Sequence, residues 1–202
     1  MKLYFSAASP YVRKVMASAH HLGLADRIET LASAASPVKR DMTIAASNPL
    51  GKVPTAILPD GTVLSDSRTI CEWLATQGTD PAYLPAPGPA RWAVLGQHAL
   101  ADGLLDAALL ARYETAMRPE ALRWPDWLAG QMGKIDAAIA GMEDAAGMLG
   151  GPVTLGTITT GCALGYLDFR FAHHDWRKAA PRLAAWWARF GETAPMALTR
   201  PG

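Results

Sequence analysis

The sequence has few cysteines, almost no net charge and no long apolar run. Its two cysteines, Cys71 and Cys162, lie in separate helical patterns without Cys-x-x-Cys spacing, which argues against a disulfide framework and a dithiol redox site. Nineteen Lys and Arg against 18 Asp and Glu give a formal charge of +1, so a basic field for nucleic acid is absent. No segment approaches about eighteen apolar residues. We therefore expect a soluble, cytoplasmic protein without nucleic-acid or membrane partners.

Four of the five histidines form the adjacent pairs His20-His21 and His173-His174. Adjacent residues on a helix point about 100° apart, so neither pair converges on one ion. We expect no metal site. The cysteines lie among apolar helical neighbours and are expected to be buried and inert.

The first third of the chain alternates strands and helices. Apolar strand patterns at 2–5 and 27–31 flank a helix over 10–22, and a polar region, a hairpin and a helix over 68–77 follow. This order of elements is the thioredoxin-like arrangement, in which one mixed sheet carries helices on both faces. The sequence therefore predicts an α/β domain at residues 1–77.

The remainder of the chain reads differently. Residues 78–89 are rich in proline and glycine, which predicts an interdomain linker. Beyond it the apolar residues recur only at helical spacing. The predicted fold class is thus α/β plus all-α, with an N-terminal thioredoxin-like domain and an all-helical C-terminal domain at 90–202.

The most informative motif spans residues 48–67. Proline donates no N–H to a sheet and its preceding bond can be cis, so the backbone at Val53-Pro54 can stay outside the sheet and bind a ligand. Asp66 and Ser67 precede a helical pattern and offer acceptors and free N–H groups. The simpler alternatives are a trans Pro54 and an Asp66-Ser67 pair that only caps the helix.

Ser9 and Pro10 follow the first predicted strand. Ser9 falls at the N-cap of the first helix and Pro10 at its first helical position, so a purely structural role is sufficient from position alone. Opposite the Val53 edge, however, the Ser9 hydroxyl would complete a groove for an extended thiol peptide. Ser6 is a second hydroxyl in the same loop and the reserve candidate.

Three motifs carry a family resemblance: Ser9-Pro10-Tyr11-Val12-Arg13-Lys14, Asn48-Pro49-x-Gly51-Lys52-Val53-Pro54 and Leu64-x-Asp66-Ser67. In this order, and with the linker and the helical half, they resemble the glutathione S-transferases, in particular bacterial members with a Ser-Pro pair at the candidate catalytic position. The resemblance covers essentially the whole chain. It implies a transferase of alkyl or aryl groups, although isomerase, peroxidase and dehalogenase variants stay open.

The resemblance also implies roles for individual residues. Ser9 would be catalytic and donate its hydroxyl to the glutathione sulfur. Glutathione, as cosubstrate, would be bound by Lys39, Lys52, Val53, Pro54, Asp66 and Ser67. Val53 would pair with the cysteinyl backbone beside a cis Pro54, Asp66 and Ser67 would hold the γ-glutamyl end, and the lysines would meet the glycyl carboxylate.

A second substrate and a second subunit are implied as well. The electrophile pocket is expected between the domains, at Ala8, Asp102 and Tyr113. In the implied homodimer Asp102 could instead reach the partner's glutathione. The simplest alternative is that Asp102 only lies on a solvated face of its helix. The rival function is a non-catalytic adaptor or regulator with a vestigial groove.

One position departs from the family pattern. The helix near residue 155 usually opens with Ser or Thr followed three residues later by Asp, whereas Thr154 is followed by Thr157. This predicts that the reciprocal half of the capping box is lost, at about 0.5 to 2 kcal/mol, and that Thr157→Asp raises thermal stability.

Overall fold

The computed structural model describes residues 1–201, which divide into two compact units. The first unit comprises Met1–Leu84 together with the residues from Thr193 onward, and the second comprises Pro85–Glu192. The division falls inside the predicted linker 78–89. The last residues, which the sequence analysis placed in the helical domain 90–202, group with the first unit instead.

The first unit is built on a mixed four-stranded sheet in the order β2-β1-β3-β4. Its strands are β1 (Lys2–Phe5), β2 (Glu29–Ala32), β3 (Thr55–Ile57) and β4 (Val63–Leu64). β1 runs parallel to β2 and antiparallel to β3, and β3 runs antiparallel to β4. Its first three helices are α1 (Pro10–His21), α2 (Met42–Ala45) and α3 (Ser67–Gln77).

Apolar side chains from the sheet and the helices form the core of this unit. α1 packs against α3, and the buried residues include Leu3, Val15, Ile44, Ile70 and Leu74. The chain leaves α1 through Gly23, whose φ of 69° is a left-handed conformation that glycine adopts without strain. The sequence-predicted α/β arrangement is confirmed.

The second unit is helical throughout. Its helices are α4 (Pro89–Ala116), α5 (Pro125–Asp144), α6 (Leu155–Arg170), α7 (Trp176–Ala179) and α8 (Pro181–Phe190). α4 packs along both α5 and α6. Every residue of α6 from Leu155 to Leu167 is buried, including three threonines, so this helix forms the centre of the unit.

Three carboxylates fasten the second unit. Asp168 accepts hydrogen bonds from Trp176 Nε1 at 3.1 Å, from Trp187 Nε1 at 2.8 Å, and from both terminal nitrogens of Arg177 at 2.8 and 2.7 Å. Glu143 accepts from the backbone N–H groups of Arg182 and Leu183 at the start of α8.

Glu114 holds the end of α4 to the start of α5. It is buried and accepts from the backbone of Trp124 at 2.7 Å and from Arg118 at 2.8 Å. Because the acceptor oxygens of these acids meet donors within the unit, the acids serve the packing of the helices.

The prediction about the start of α6 was wrong. Thr154 Oγ1 accepts from the N–H of Thr157 at 3.1 Å, and Thr157 Oγ1 accepts from the N–H of Thr154 at 2.8 Å. The capping box is therefore complete. A threonine hydroxyl has lone pairs that can replace the expected carboxylate as acceptor, so the motif survives without an acid.

The C-terminal segment returns to the first unit through α9 (Ala194–Ala197), which packs on α1. Arg13, only 6% exposed, donates from Nη2 to the carbonyl of Met196 at 3.1 Å. Arg13 thus fastens the end of the chain to the first helix. In the described part of the chain, no helix combines the length and apolar character that spanning a bilayer requires.

Candidate active site

Ser9 occupies the N-cap of α1, as the sequence predicts. Its Oγ accepts the N–H of Val12 at 3.3 Å, and its own N–H donates to the carbonyl of Ser6 at 3.0 Å. The Ser9 hydroxyl proton is donated to no residue within 1–201. Because a hydroxyl can accept at its lone pairs while donating its proton, capping and ligand binding are compatible at this residue.

Val53 lies just outside the sheet. The Val53-Pro54 bond is cis, and ladder pairing between β1 and β3 stops at Tyr4 and Thr55. Continuing that register would place Val53 opposite Ser6, on the loop that leads to Ser9. Neither the N–H nor the carbonyl of Val53 is hydrogen-bonded to another residue of the described chain. A strand-like pair of backbone groups is therefore open to an extended ligand.

A buried polar pair that the sequence analysis did not single out shapes this loop. Asn48 is 4% exposed and Thr55 fully buried. Asn48 Nδ2 donates to Thr55 Oγ1 at 2.8 Å, and Thr55 Oγ1 donates to the carbonyl of Lys52 at 2.7 Å. Asn48 Oδ1 accepts the N–H of Leu50 at 3.0 Å. These bonds fix both sides of the turn that leads into Val53. The sequence signal available for this turn was an asparagine immediately before proline.

Asp66 and Ser67 form the N-terminus of α3. Asp66 is exposed, and its Oδ1 accepts the N–H of Arg68 at 2.8 Å, so the predicted cap is present. Asp66 Oδ2 and the backbone N–H of Ser67 have no partner in residues 1–201. This helix start therefore offers one acceptor suited to a cation and one donor suited to an anion.

The two predicted lysines, Lys39 and Lys52, are exposed loop residues. Neither forms an ion pair with another residue of the described part. Between them in sequence, Arg40 donates to the carbonyl of Pro49, and Asp41 caps α2 through Thr43 and Ile44 while accepting from Ala34 at 2.8 Å. The hydrogen bond from Ala34 lowers the pKa of Asp41. Hydrogen bonds thus hold the loop in place, and the charges of both lysines are available to a ligand.

The predicted electrophile contacts have different environments. Ala8 and Tyr113 are partly exposed, and burial raises the pKa of Tyr113. Asp102 is 1% exposed, and its Oδ2 lies 3.1 Å from His98 Nε2 one turn earlier on α4. The solvated alternative for Asp102 is therefore wrong.

The cysteines and the adjacent histidines, for which no redox or metal site was expected, have ordinary environments. Cys71 and Cys162 are both buried. His21 Nε2 lies 2.9 Å from Asp80 Oδ2. Within residues 1–201 no group of three or more His, Cys, Asp or Glu side chains is arranged to hold a metal ion.

The architecture is a thioredoxin-like unit and an all-helical unit, with open polar groups at Ser9, Val53 and the start of α3. The family model described as glutathione S-transferase, N-terminal domain, matches residues 8–77, and the model described as glutathione S-transferase, C-terminal domain, matches residues 125–189. The chain belongs to the glutathione S-transferase family.

Individual relatives match over almost the whole chain. An uncharacterized GST-like protein of Escherichia coli K12, YibF, is 36% identical over 187 residues, which cover 91% of this chain and 90% of YibF. The crystal structure of a glutathione transferase family member from Pseudomonas fluorescens Pf-5 with bound glutathione has 43% identity, 100% and 98% coverage and a TM-score of 0.97. A glutathione S-transferase from Methylobacillus flagellatus KT with glutathione bound has 34% identity, 100% and 99% coverage and a TM-score of 0.88.

Proposed function

We propose that this protein is a cytoplasmic, homodimeric glutathione transferase that stabilises the glutathione thiolate for attack on a small electrophile. The observation that carries the proposal is the open backbone of Val53 beside cis Pro54. A peptide-like ligand can pair with it as an added strand. Relatives with 43% and 34% identity over the full chain contain glutathione, which supports the choice of ligand.

Each end of glutathione has a complementary group in the first unit. The ammonium of the γ-glutamyl residue would pair with Asp66 Oδ2, and its carboxylate would accept from the N–H of Ser67, since anions bind at helix N-termini. Lys52 and Lys39 would meet the glycyl carboxylate. The cysteinyl part, paired with Val53, would bring its sulfur towards the loop of Ser6 and Ser9.

A hydrogen bond from Ser9, together with the N-terminus of α1, can supply the free energy that thiolate formation requires. A thiol with a pKa of about 8.5 must drop by roughly 1.5 to 2 units to be mostly ionised at neutral pH, or about 2 to 3 kcal/mol. One hydrogen bond to a charged acceptor supplies about 1.5 to 3 kcal/mol, and a helix N-terminus adds roughly 0.3 to 1. No general base is required in this account.

The chemical step follows from these roles. The glutathione thiol releases its proton to water, the thiolate sulfur attacks an electrophilic carbon and forms a C–S bond, and the bond to the leaving group breaks with its electron pair. Ser9 keeps its proton and donates a hydrogen bond to the sulfur before the attack. The enzyme's contribution is stabilisation of the anion and positioning of the two reactants.

Retention on immobilised glutathione, elution by free glutathione and turnover of a panel of aryl halides, peroxides and Michael acceptors test the proposal. We expect both specific retention and turnover with at least one electrophile class. Retention without any turnover would favour the adaptor function, and absence of glutathione binding would contradict both. Sedimentation velocity tests the homodimer.

A further inference from the structure

Arg13 bonds to two places in the first unit that lie near opposite ends of the chain. Its backbone N–H donates to the carbonyl of Ser9 at 3.0 Å, which is the first helical hydrogen bond of α1. Its guanidinium donates from Nη2 to the carbonyl of Met196 at 3.1 Å. Both partners belong to the first unit, which comprises Met1–Leu84 and the residues from Thr193 onward. One residue thus joins the candidate catalytic serine to the end of the chain.

The C-terminal segment, residues 193–201, presents a backbone carbonyl to Arg13. The N–H groups of Met196 and Ala197 donate to the carbonyl of Thr193 at 3.0 and 2.9 Å, so the segment is itself hydrogen-bonded. The last carbonyls of a helix have no partner within that helix. The carbonyl of Met196, at the end of α9, can therefore accept from a side chain, and arginine is a suitable donor at such a helix end.

The contact between Arg13 and the C-terminal segment is buried. Arg13 is 6% exposed and Met196 is fully buried, and α9 packs on α1. Hydrogen bonds from charged donors are roughly twice as strong as neutral ones, and a buried group that loses its partner is costly. The bond therefore restrains the position of α1 relative to α9.

The placement of the Ser9 hydroxyl depends on the first turn of α1. Ser9 Oγ accepts the N–H of Val12 at 3.3 Å, and the Ser9 carbonyl accepts the N–H of Arg13. A third bond, from the N–H of Ser9 to the carbonyl of Ser6 at 3.0 Å, holds its other side. Two of the three bonds thus come from the first turn of α1. A displacement of about 1 Å in a positioned group can cost on the order of 100-fold in rate.

We propose that Arg13 is a positioning residue for Ser9, and that the C-terminal segment acts through Arg13 to keep the Ser9 hydroxyl directed at the glutathione sulfur. Arg13 itself touches neither substrate. The groups proposed to bind the tripeptide at Val53 and Asp66 lie on other elements, so loss of the Arg13 bond should affect the thiolate more than the affinity for glutathione. This inference rests on the proposed transferase function.

The test measures the pKa of glutathione bound to the full-length protein, by thiolate absorbance against pH. In Arg13→Met we expect this pKa to rise by about 0.5 to 1 unit and kcat to fall by about three- to tenfold, within the range of coupling through packed groups. Calorimetric titration with S-methylglutathione, which has no thiol, should give the wild-type affinity.

Met196→Gly tests the same link without removing the arginine or its charge. It deletes the buried side chain and loosens α9, since glycine weakens a helix, so the bound-thiol pKa should again rise. The double variant should show no more than the larger single effect, because both changes break one link. Arg13→Lys keeps the charge but lacks the planar guanidinium, and it should restore only part of the loss. If Arg13→Met does not fold, Met196→Gly decides the question.

The matched control is Leu74→Ala, which removes buried apolar atoms from α3 in the same unit. It should lower the melting temperature and leave the bound-thiol pKa unchanged. An unchanged pKa in Met196→Gly, an equal rise in Leu74→Ala, or full restoration by Arg13→Lys would overturn the inference. Failure of the wild type to bind S-methylglutathione, or a bound-thiol pKa equal to that of free glutathione, would instead remove the proposed function.

Discussion

Three carboxylates of the second unit and a set of polar groups around Ser9 and Val53 in the first unit differ in how completely they are bonded. In the second unit Asp168, Glu143 and Glu114 each accept two or more hydrogen bonds from neighbouring elements. In the first unit the Ser9 hydroxyl proton and the backbone of Val53 have no partner among residues 1–201. Buried polar groups are normally satisfied in folded proteins.

This difference separates groups that hold the fold from groups that can meet a ligand. Removing a fully bonded acid lowers the stability of the protein, whereas removing an open donor impairs its function. Ser9 belongs partly to both classes, because its oxygen caps a helix while its proton remains available.

Removing the most heavily bonded acid should cost the most stability. Asp168→Ala leaves two indole N–H groups and Arg177 without their acceptor, so we expect the free energy of unfolding to fall by about 2 to 4 kcal/mol, or a melting temperature lower by on the order of 5–15 °C. Asp144→Ala, at an exposed position on α5, is the control. Equal melting temperatures for the two variants would contradict the assignment.

The carboxylate of Asp168 should also make the free energy of unfolding depend on pH in the acid range. Burial alone would raise the pKa of Asp168, but hydrogen bonds from Arg177, Trp187 and Trp176 outweigh it and hold the pKa below the ordinary 3.8. A lowered folded pKa contributes stability above the ordinary value, which is lost as pH falls through the folded pKa. Below about pH 4, wild type should lose unfolding free energy more steeply than Asp168→Ala in denaturant titrations. Parallel curves would be inconsistent with this origin.

Removing the Ser9 hydroxyl should impair thiolate formation. Ser9→Gly retains a tolerated N-cap, at a cost of only about a few tenths of a kcal/mol, and loses the donor. We expect kcat/KM to fall by about 10- to 100-fold, equivalent to roughly 1.5 to 3 kcal/mol. The pKa of bound glutathione, measured by thiolate absorbance against pH, should rise.

Ser6→Ala is the matched control for Ser9, since it removes the other hydroxyl of the same loop. Its kcat/KM and bound-thiol pKa should match wild type. If Ser6→Ala carries the loss and Ser9→Gly does not, the catalytic hydroxyl is that of Ser6. If Ser9→Gly changes only the melting temperature, Ser9 is a cap.

Loosening the turn before Val53 should weaken glutathione binding. Asn48→Ala removes the bonds to Thr55 and Leu50, with an expected stability loss of about 1 to 2 kcal/mol. As a positioning residue, Asn48 should affect the KM for glutathione more than kcat. Asp60→Ala breaks a bond to Thr62 in the β3–β4 turn and should leave KM unchanged. A matching rise in KM for both variants would argue for general loosening of the unit.

Removing one half of the α6 capping box should have the smallest effect. Thr157→Val deletes the acceptor for the N–H of Thr154, so we expect a loss of about 1 kcal/mol. Thr160→Val, which deletes a hydroxyl bonded only to the carbonyl of Gly156, should cost less. Thr157→Asp should not raise the melting temperature, because the buried position already has an acceptor. A higher melting temperature for Thr157→Asp would contradict this.

Much of the fold was accessible from sequence because it depends on local signals. Periodicity and caps predicted α1 and the helical character of the second unit, and the order of the elements in the first third of the chain predicted the hairpin of β3 and β4. The predicted strand at 27–31 begins late, at Glu29, since Ala25–Arg27 forms a 3-10 turn first. The pairing of α9 with α1 was not accessible, because it joins segments far apart in sequence.

The candidate site divides in the same way. Ser9 and Asp66 each lie at the start of a helix, and Val53 precedes a proline. Local sequence signals mark such positions, so these residues could be predicted from the sequence. The Asn48-Thr55 hydrogen bond depends on side chains that packing brings together. The Thr157 prediction failed because the expected acid was treated as the only acceptor, although a hydroxyl accepts equally well at that distance.

The contact of Arg13 with Met196 has a consequence for synthesis on the ribosome. The partners are 183 residues apart, so α1 emerges and can fold long before the segment that covers it exists. The cost of closing so long a loop grows only slowly with its length, but the waiting time is set by translation at about 5–20 residues per second. During that interval the face of α1 that later receives α9 stays uncovered. Completion of the first unit therefore depends on residues that are synthesised after the whole of the second unit.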